Sequence, residues 1–436
     1  MSFITNIRSV AKYESKILVR SWFFRIFTLL AVVFLGFFNF AMMLMEDNFG
    51  LWFAKSVSSN IPYLNLLLLN TGQAVVAVFL SSEFLKRDKK LDTSEVFYVR
   101  PLSNAEYVVG KIWGNLRVFL FLNLLVLAIV LAFNFMASGV TVDLPAYLIY
   151  FFLISIPTLI FIIGLSIFLM LLLKNQALTF ILLLGYIGLT LFYIQDKFYY
   201  LFDYMVYNLP LFKSTIVGFS NLELILNHRA IYFFAGLGFI FFTIFLFKRL
   251  PNARRSHYPW LFLSFCMFLL MGTAGFRHVR SILREGEMRA LYTSINNKYV
   301  YEPKMAIDYY DISVEQKSET IRSVVGMEGT ALAASEVFIF CLNPGLRVEE
   351  VKDGEKSLNF KREEQILAVD FGREIEKGDT ISFSVSYEGR IKDDFCYLDI
   401  PEEVLQQPYD KEMLKLDKKY SFQTSDYVLF TPETYW

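Results

Sequence analysis

The chain has 436 residues, 55% of them hydrophobic and 17% aromatic, with 46 phenylalanines; an ordinary globular domain is roughly 45 to 50% apolar. Its zero net charge conceals a split, since residues 1–277 carry 22 Lys/Arg against 12 Asp/Glu and residues 278–436 carry 20 against 30. A simple soluble domain is excluded, and a basic membrane part followed by an acidic soluble part is expected, with the lipid bilayer as partner and no nucleic acid. Three cysteines (Cys266, Cys341 and Cys396) are too few for a disulfide framework. Cys341 and Cys396 are expected as buried free thiols, although a bond between them outside the membrane is conceivable.

In chain order, residues 2–20 place Phe3, Ile7, Val10, Ile17 and Leu18 near helical spacing, with Arg8, Lys12, Lys16 and Arg20 on a more polar side. Such a basic amphipathic helix lies in the membrane interface. Apolar runs long enough to span follow at 22–45, 61–84, 112–136, 144–173, 176–194, 231–247 and 258–276, the fourth and fifth joined by a tight turn at Lys174-Asn175. The connection 196–229 is rich in Phe and Tyr and holds Asn208-Leu209-Pro210. It suits short helices in, or dipping into, the outer interface and equally an ordinary aromatic belt.

The polar island 82–111 stands between the second and third runs. It carries Glu83, Asp88, Asp92 and Glu95 beside Lys86, Arg87, Lys89, Lys90, Arg100 and Lys111. Within it Pro101 disfavours helix at the preceding residue, and Ser103 or Asn104 is placed to cap the helix that follows. Taking the N-terminus as inside, fifteen Lys/Arg fall on one side of the seven expected spans and only Lys55, Lys197, Lys213 and Arg229 on the other. The positive-inside rule then puts the N-terminus and the 82–111 loop in the cytoplasm, and an odd number of crossings puts residues 278–436 outside.

The order Glu83, Arg87, Thr93, Pro101-Leu102-Ser103, Gly110-Lys111 resembles the corresponding loop of ABC transporter permeases of the ABC-2 export class. Asp92 and Asn104 depart from the residues usual there. The resemblance implies an α-helical polytopic fold. Residues 1–21 would be an interfacial elbow helix, 22–249 a six-span permease core, and 250–277 a cytoplasmic loop with a seventh span. It further implies a permease dimer in the cytoplasmic membrane and a separate ABC ATPase subunit, which uses the ATP. The ATPase would be met at Glu83, Arg87, Asp88, Asp92, Thr93, Glu95, Arg100, Pro101, Ser103 and Lys111.

Residues 278–436 read as an extracytoplasmic β-sandwich-like domain. After a helical stem (279–296), period-two strings run over 305–314, 336–342 and 380–387, with turns at Asp353-Gly354 and Lys377-Gly378. The stretch 340–391 resembles the N-terminal β-domain of zinc peptidases of the aminopeptidase N family. The carrying residues are Leu342-Asn343-Pro344-Gly345-Leu346, Gly378-Asp379 and Tyr387-Glu388-Gly389, and the tail 426–436 resembles the approach to the peptidase domain of that family. Gly326-Met327-Glu328-Gly329 is expected to be a turn.

A zinc peptidase needs His-Glu-x-x-His, and the only histidines, His228, His257 and His278, are not so arranged. The phosphate-binding loop of an ATPase is also missing, because Gly110-Lys111 is followed by Ile112 and lacks the first glycine. No catalytic residue, metal or cofactor is therefore expected in this chain. Asn65, Asn70, Thr71 and Gln73 of the second span, with Asn123 of the third, are residue types that line a translocation path or tie helices together at roughly 0.6 to 2 kcal/mol each. Two other functions remain open on the sequence. One is the membrane-anchored portion of an aminopeptidase-like protein whose zinc domain lies elsewhere; the other is a non-transporting sensor that binds a peptide or protein outside.

Overall fold

The structure, a computed structural model, describes residues 3–44, 57–82, 102–136, 141–194, 197–247, 258–401, 403–404, 409–411 and 414–435. Glu83, Arg87, Asp88, Asp92, Thr93, Glu95, Arg100 and Pro101 lie outside the described residues, as does the basic loop before residue 258. The chain separates into two compact units. One comprises residues 1–280 with 408–417, and the other 281–407 with 418–436.

The first unit is helical: α1 Phe3–Arg20, α2 Trp22–Leu44, α3 Asn60–Ser82, α4 Asn104–Met136, α5 Leu144–Tyr150, α6 Ile156–Leu173, α7 Gln176–Phe192, α8 Leu222–Leu246 and the start of α9 Tyr258–Lys298, whose residues from 281 belong to the second unit. Asp143 caps α5 by accepting from the Ala146 N–H, and a π-helical turn, Phe151–Ser155, joins α5 to α6. Among the described residues, six helical stretches are long and apolar enough to cross a membrane: Trp22–Met43, Asn60–Leu80, Asn104–Met136, Leu144–Leu173, Leu222–Leu246 and Tyr258–Lys298. The expected fifth span is the apolar helix α7, 17 residues long. At 1.5 Å per residue it extends about 26 Å, against a hydrocarbon core of about 30 Å. Lys174 adopts the left-handed conformation, and Asn175 caps α7 by accepting from the Leu178 N–H, so α6 and α7 are joined by the two-residue turn expected there.

Three expectations are corrected. The helix expected after the Ser103/Asn104 cap and the span expected from 112 are one helix from Asn104, the sixth begins at Leu222 rather than 231, and the seventh span and its stem are one continuous helix, Tyr258–Lys298. The charges read as loop markers, Lys111 and Arg229, lie inside helices because each has a buried partner. Pro157 has no N–H to offer the carbonyl four residues earlier. Arg229 fills that gap, its Nε donating to Leu153 O at 2.7 Å, and its other nitrogens donate to Tyr204 O and Thr158 Oγ1. Arg229 is thereby only 3% exposed.

The connection 197–221 does not form the expected short helices. Beyond a single 3₁₀ turn (Phe198–Tyr200) and the two-residue strands β1 Lys213–Ser214 and β2 Gly218–Phe219, it is irregular. Residues 203–206 and 208–211 are nevertheless buried. The Asp203 carboxylate explains how, by accepting the N–H groups of Tyr207, Asn208 and Leu209. Non-helical backbone at such depth is tolerated only when its polar groups are answered by protein.

The second unit is a β-sheet domain. Its strands are β3 Met305–Lys317, β4 Thr320–Ala331, β5 Ser335–Cys341, β6 Leu346–Asp353, β7 Lys356–Ser357, β8 Asn359–Glu363, β9 Ile366–Ile375 and β10 Thr380–Gly389. They form a five-stranded sheet ordered β3-β4-β10-β6-β7 and a three-stranded sheet ordered β5-β9-β8. Between them Phe338, Val351, Val369, Phe371, Phe383 and Val385 form a common core. The tail adds the hairpin of β13 Ser421–Gln423 with β14 Val428–Phe430 to this unit, whereas the hairpin of β11 Tyr409–Lys411 with β12 Leu414–Leu416 belongs to the first. Gly354 and Gly378 have positive φ, as their turns require.

Gly326 to Gly329 is not a turn but the middle of β4, pairing with β3 on one side and β10 on the other. The glycine at 329 answers a packing need. A Cβ there would come within 2.8 Å of the Ile307 side chain, beside the bulge that β3 makes between Ile307 and Tyr309. Cys341 is exposed rather than buried, Cys396 is buried, and both are free thiols.

Asn343, the centre of the Asn-Pro-Gly stretch, is fully buried. Its Nδ2 donates to Lys392 O and Thr434 O, and its Oδ1 accepts the N–H groups of Gly345 and Lys392. All four hydrogen-bonding positions of the amide are used. One side chain thus fixes the β5–β6 connection, the chain after β10 and the tail.

Candidate functional site

The site with the densest polar organisation near the 82–111 loop is the start of α4, where it meets α1. Ser103 and Glu106 form a reciprocal capping box. The Ser103 Oγ accepts the Glu106 N–H at 3.1 Å, and the Glu106 carboxylate accepts the Ser103 N–H at 2.6 Å. The other oxygen of Glu106 accepts from Asn6 Nδ2 of α1 at 2.8 Å. Asn104 donates to Phe247 O just beyond α8, so the first turn of α4 is tied to two other parts of the helical unit.

Below this cap α1 lies against α4 at backbone distance. A Cβ on Gly110 would stand 2.7 Å from Val10 Cβ, and one on Gly114 would stand 2.7 Å from Glu14 Cβ. Gly110-Lys111-Ile112-Trp113-Gly114 is therefore a small-x-x-x-small contact, in which two glycines one helical turn apart admit a second helix. Between them, Lys111 Nζ meets Glu14 at 2.9 Å with 1% and 4% of the two side chains exposed. One turn further, Ser15 donates to Gly114 O, and Arg117 donates to Ser15 Oγ and Ala11 O. The face of α1 that packs is thus Asn6, Val10, Ala11, Glu14 and Leu18, while Phe3, one of the residues read as its apolar stripe, is exposed.

Of the ten residues expected to meet an ATPase, only Ser103 and Lys111 are described. Ser103 is exposed and caps α4; Lys111 is buried on Glu14 and holds α1 in place. Asn6, Glu14, Ser15 and Gly114 were missed by sequence reasoning. The Ser-x-x-Glu box and the Gly-x-x-x-Gly spacing were the signals that could have found the contact.

The polar residues of the second and third spans fall into two separate groups. Asn65 exchanges hydrogen bonds with Asn39 of α2, at 2.7 and 3.0 Å. Asn70, Gln73, Asn123 and Ser155 form a second cluster, all fully buried. Gln73 donates to Asn70 Oδ1 at 2.6 Å, Asn123 to Gln73 Oε1 at 2.9 Å, and Ser155 to Asn123 Oδ1 at 2.8 Å. Thr71 donates to the carbonyl of Leu67 in its own helix. Among the described residues, no group of three or more His, Cys, Asp or Glu is placed to hold a metal ion.

No protein-family model matches the chain, and no curated protein matches it. Among solved structures, the C-terminal β region resembles part of M1 zinc metallopeptidases. One is the enzyme from Deinococcus radiodurans, at 16% identity and TM-score 0.19, over 20% of this chain and 21% of that one. Another is a two-domain M1 zinc metallopeptidase bound to L-arginine, at 17% identity and TM-score 0.20, over 24% and 23%. This chain therefore spans less than a quarter of the length of either protein.

Proposed function

We propose that this chain is the membrane-spanning permease of an ATP-driven exporter, that it works as a dimer, and that a separate ATPase drives it through the 82–111 loop. One observation carries the reading. The chain that leaves this loop becomes helical at Asn104 and is fixed to the N-terminal helix within four turns by a capping box, a two-glycine contact and a buried ion pair. A force applied at the loop would then move α1 and α4 together, which is what mechanical coupling to a moving ATPase requires. In this reading Glu83, Arg87, Asp88, Asp92, Thr93, Glu95, Arg100 and Pro101 supply the contact, and Ser103 and Lys111 hold its base. The amides of Asn65, Asn70, Gln73 and Asn123 tie helices together, since each is spent on another side chain.

The loop is assigned to the cytoplasmic face by its Lys/Arg density, and the β unit to the outside by seven crossings, with α7 as the fifth. Removing Lys111 and Arg229 from the charge count leaves the asymmetry standing. The ATPase contact is tested by reversing Glu83→Lys and Glu95→Lys together, which strengthens the positive-inside signal and so preserves insertion. ATP hydrolysis that accompanies the wild-type chain through purification from its own cells is expected to be lost from the variant at equal membrane yield. Unchanged hydrolysis would remove the proposal.

A further inference from the structure

The β unit leaves one strand edge open beside a large cavity. β3 ends the five-stranded sheet, so among the described residues one side of its backbone has no strand partner, with the Ile339 N–H of β5 donating to Pro303 O just before it and the Gln316 side chain donating to Thr424 O near its end. Its 13 residues extend about 43 Å at 3.3 Å per residue. The bulge between Ile307 and Tyr309 shifts the alternation by one, so that Met305, Ile307, Tyr310 and Ile312 all line the same cavity. That cavity measures about 1290 Å³ and is closed from the other strands by Met327, Val385, Tyr387 and Ile366. Because the second sheet has three strands against five, the far end of β3 is left uncovered: Tyr310 is 53%, Ile312 45% and Val314 42% exposed.

A long open edge with an apolar face is a template for strand addition, and natural proteins usually block one with lysine, proline or a short strand. Here the strand carries Asp308, Asp311 and Glu315 against one lysine, Lys317, at its end, and the cavity is lined by Asp399 and Glu433 against Lys304. An incoming strand would therefore meet an apolar slot bordered by negative charge. We propose that the β unit binds extended peptides of alternating apolar and basic residues, which add as a sixth strand to β3 and set their apolar side chains into the cavity. Backbone hydrogen bonds supply the affinity and the slot selects alternate side chains. The inference stands independently of the transport reading.

The test uses the full chain in lipid nanodiscs and a fluorescein-labelled peptide of alternating lysine and valine, about ten residues long, followed by anisotropy. Saturable binding is expected, weakened about tenfold or more by Ile312→Lys, which places a cation in the apolar slot. Tyr309→Lys adds the same charge to the opposite face and should leave binding within about twofold. A peptide N-methylated at alternate residues cannot complete the strand pairing and should not bind, whatever the variants do to folding. Three outcomes would overturn the inference. They are equal binding by the N-methylated peptide or by one of the same composition without alternation, no binding up to about 1 mM, and disulfide cross-linking of two Val314→Cys chains that the peptide cannot displace, which would make the edge a contact between copies.

Discussion

Replacing Glu14 with alanine is expected to destabilise the helical unit by about 3 to 5 kcal/mol, since it takes a carboxylate away from the buried Lys111 ammonium. Two buried charges recover their desolvation cost only through each other, so removing one costs more than the pair contributes. The double variant Glu14→Leu with Lys111→Met removes both charges and should regain most of the loss. Thermal unfolding of the full chain in one detergent, read as a double-mutant cycle, separates the two effects. A single variant as stable as wild type would mean that the pair does not hold α1 to α4. A stable double variant that also keeps its associated ATP hydrolysis would show that the pair fixes geometry and makes no contact with a partner.

An effect of similar size is expected from Gly345→Ala in the β unit. An added Cβ would lie 1.9 Å from Arg390 O, and one on Gly389 would lie 2.2 Å from Gly345 O, so the two backbones touch at a place with no room for a methyl group. Neither neighbour is the end of a flexible side chain, and relief requires the β5–β6 connection to part from the end of β10. The same movement would break the hydrogen bonds of Asn343 to Gly345 and Lys392. A loss of about 4 kcal/mol or more is expected, of the kind seen only for strong overpacking combined with lost buried hydrogen bonds. Gly354→Ala is the comparison: its φ is +60° with nothing within reach, so it should cost only about 1 to 2 kcal/mol for the left-handed backbone. Limited proteolysis of the tail after residue 418, followed with temperature, distinguishes the two. Equal behaviour of the variants would contradict the account of the Asn-Pro-Gly stretch.

Much of this architecture is legible in the sequence, for reasons that also explain the failures. Long apolar runs report spans because lipid leaves no alternative, and the period-two string of β10 reports a strand because its alternate residues Ile381, Phe383, Val385 and Tyr387 are buried. Residue type and position point to Ser103 or Asn104 as a cap, and the structure places the Ser103 hydroxyl on the Glu106 N–H. Charges inside helices misled the boundaries. Lys111 and Arg229 look like loop residues until Glu14 and the carbonyls of Leu153 and Tyr204, all distant in sequence, are placed beside them. Gly326 and Gly329 misled in the same way, since a glycine chosen for close packing in a strand reads locally as a turn. The irregular stretch 203–211 is held by an aspartate that accepts three backbone N–H groups, and periodicity carries no sign of that.

Helix α7 decides the arrangement as a whole. If its 17 residues cross, the 82–111 loop and the β unit lie on opposite faces of the membrane; if they do not, both lie on one face. The most direct measurement introduces Lys356→Cys, at an exposed turn of the β unit, into a Cys341→Ser background. Cys396 should contribute little labelling, because it is fully buried and that burial pushes its thiol up to about 12. The account predicts that a membrane-impermeant maleimide labels residue 356 in intact cells with any outer membrane permeabilised. Labelling only after the cytoplasmic membrane is lysed would contradict it.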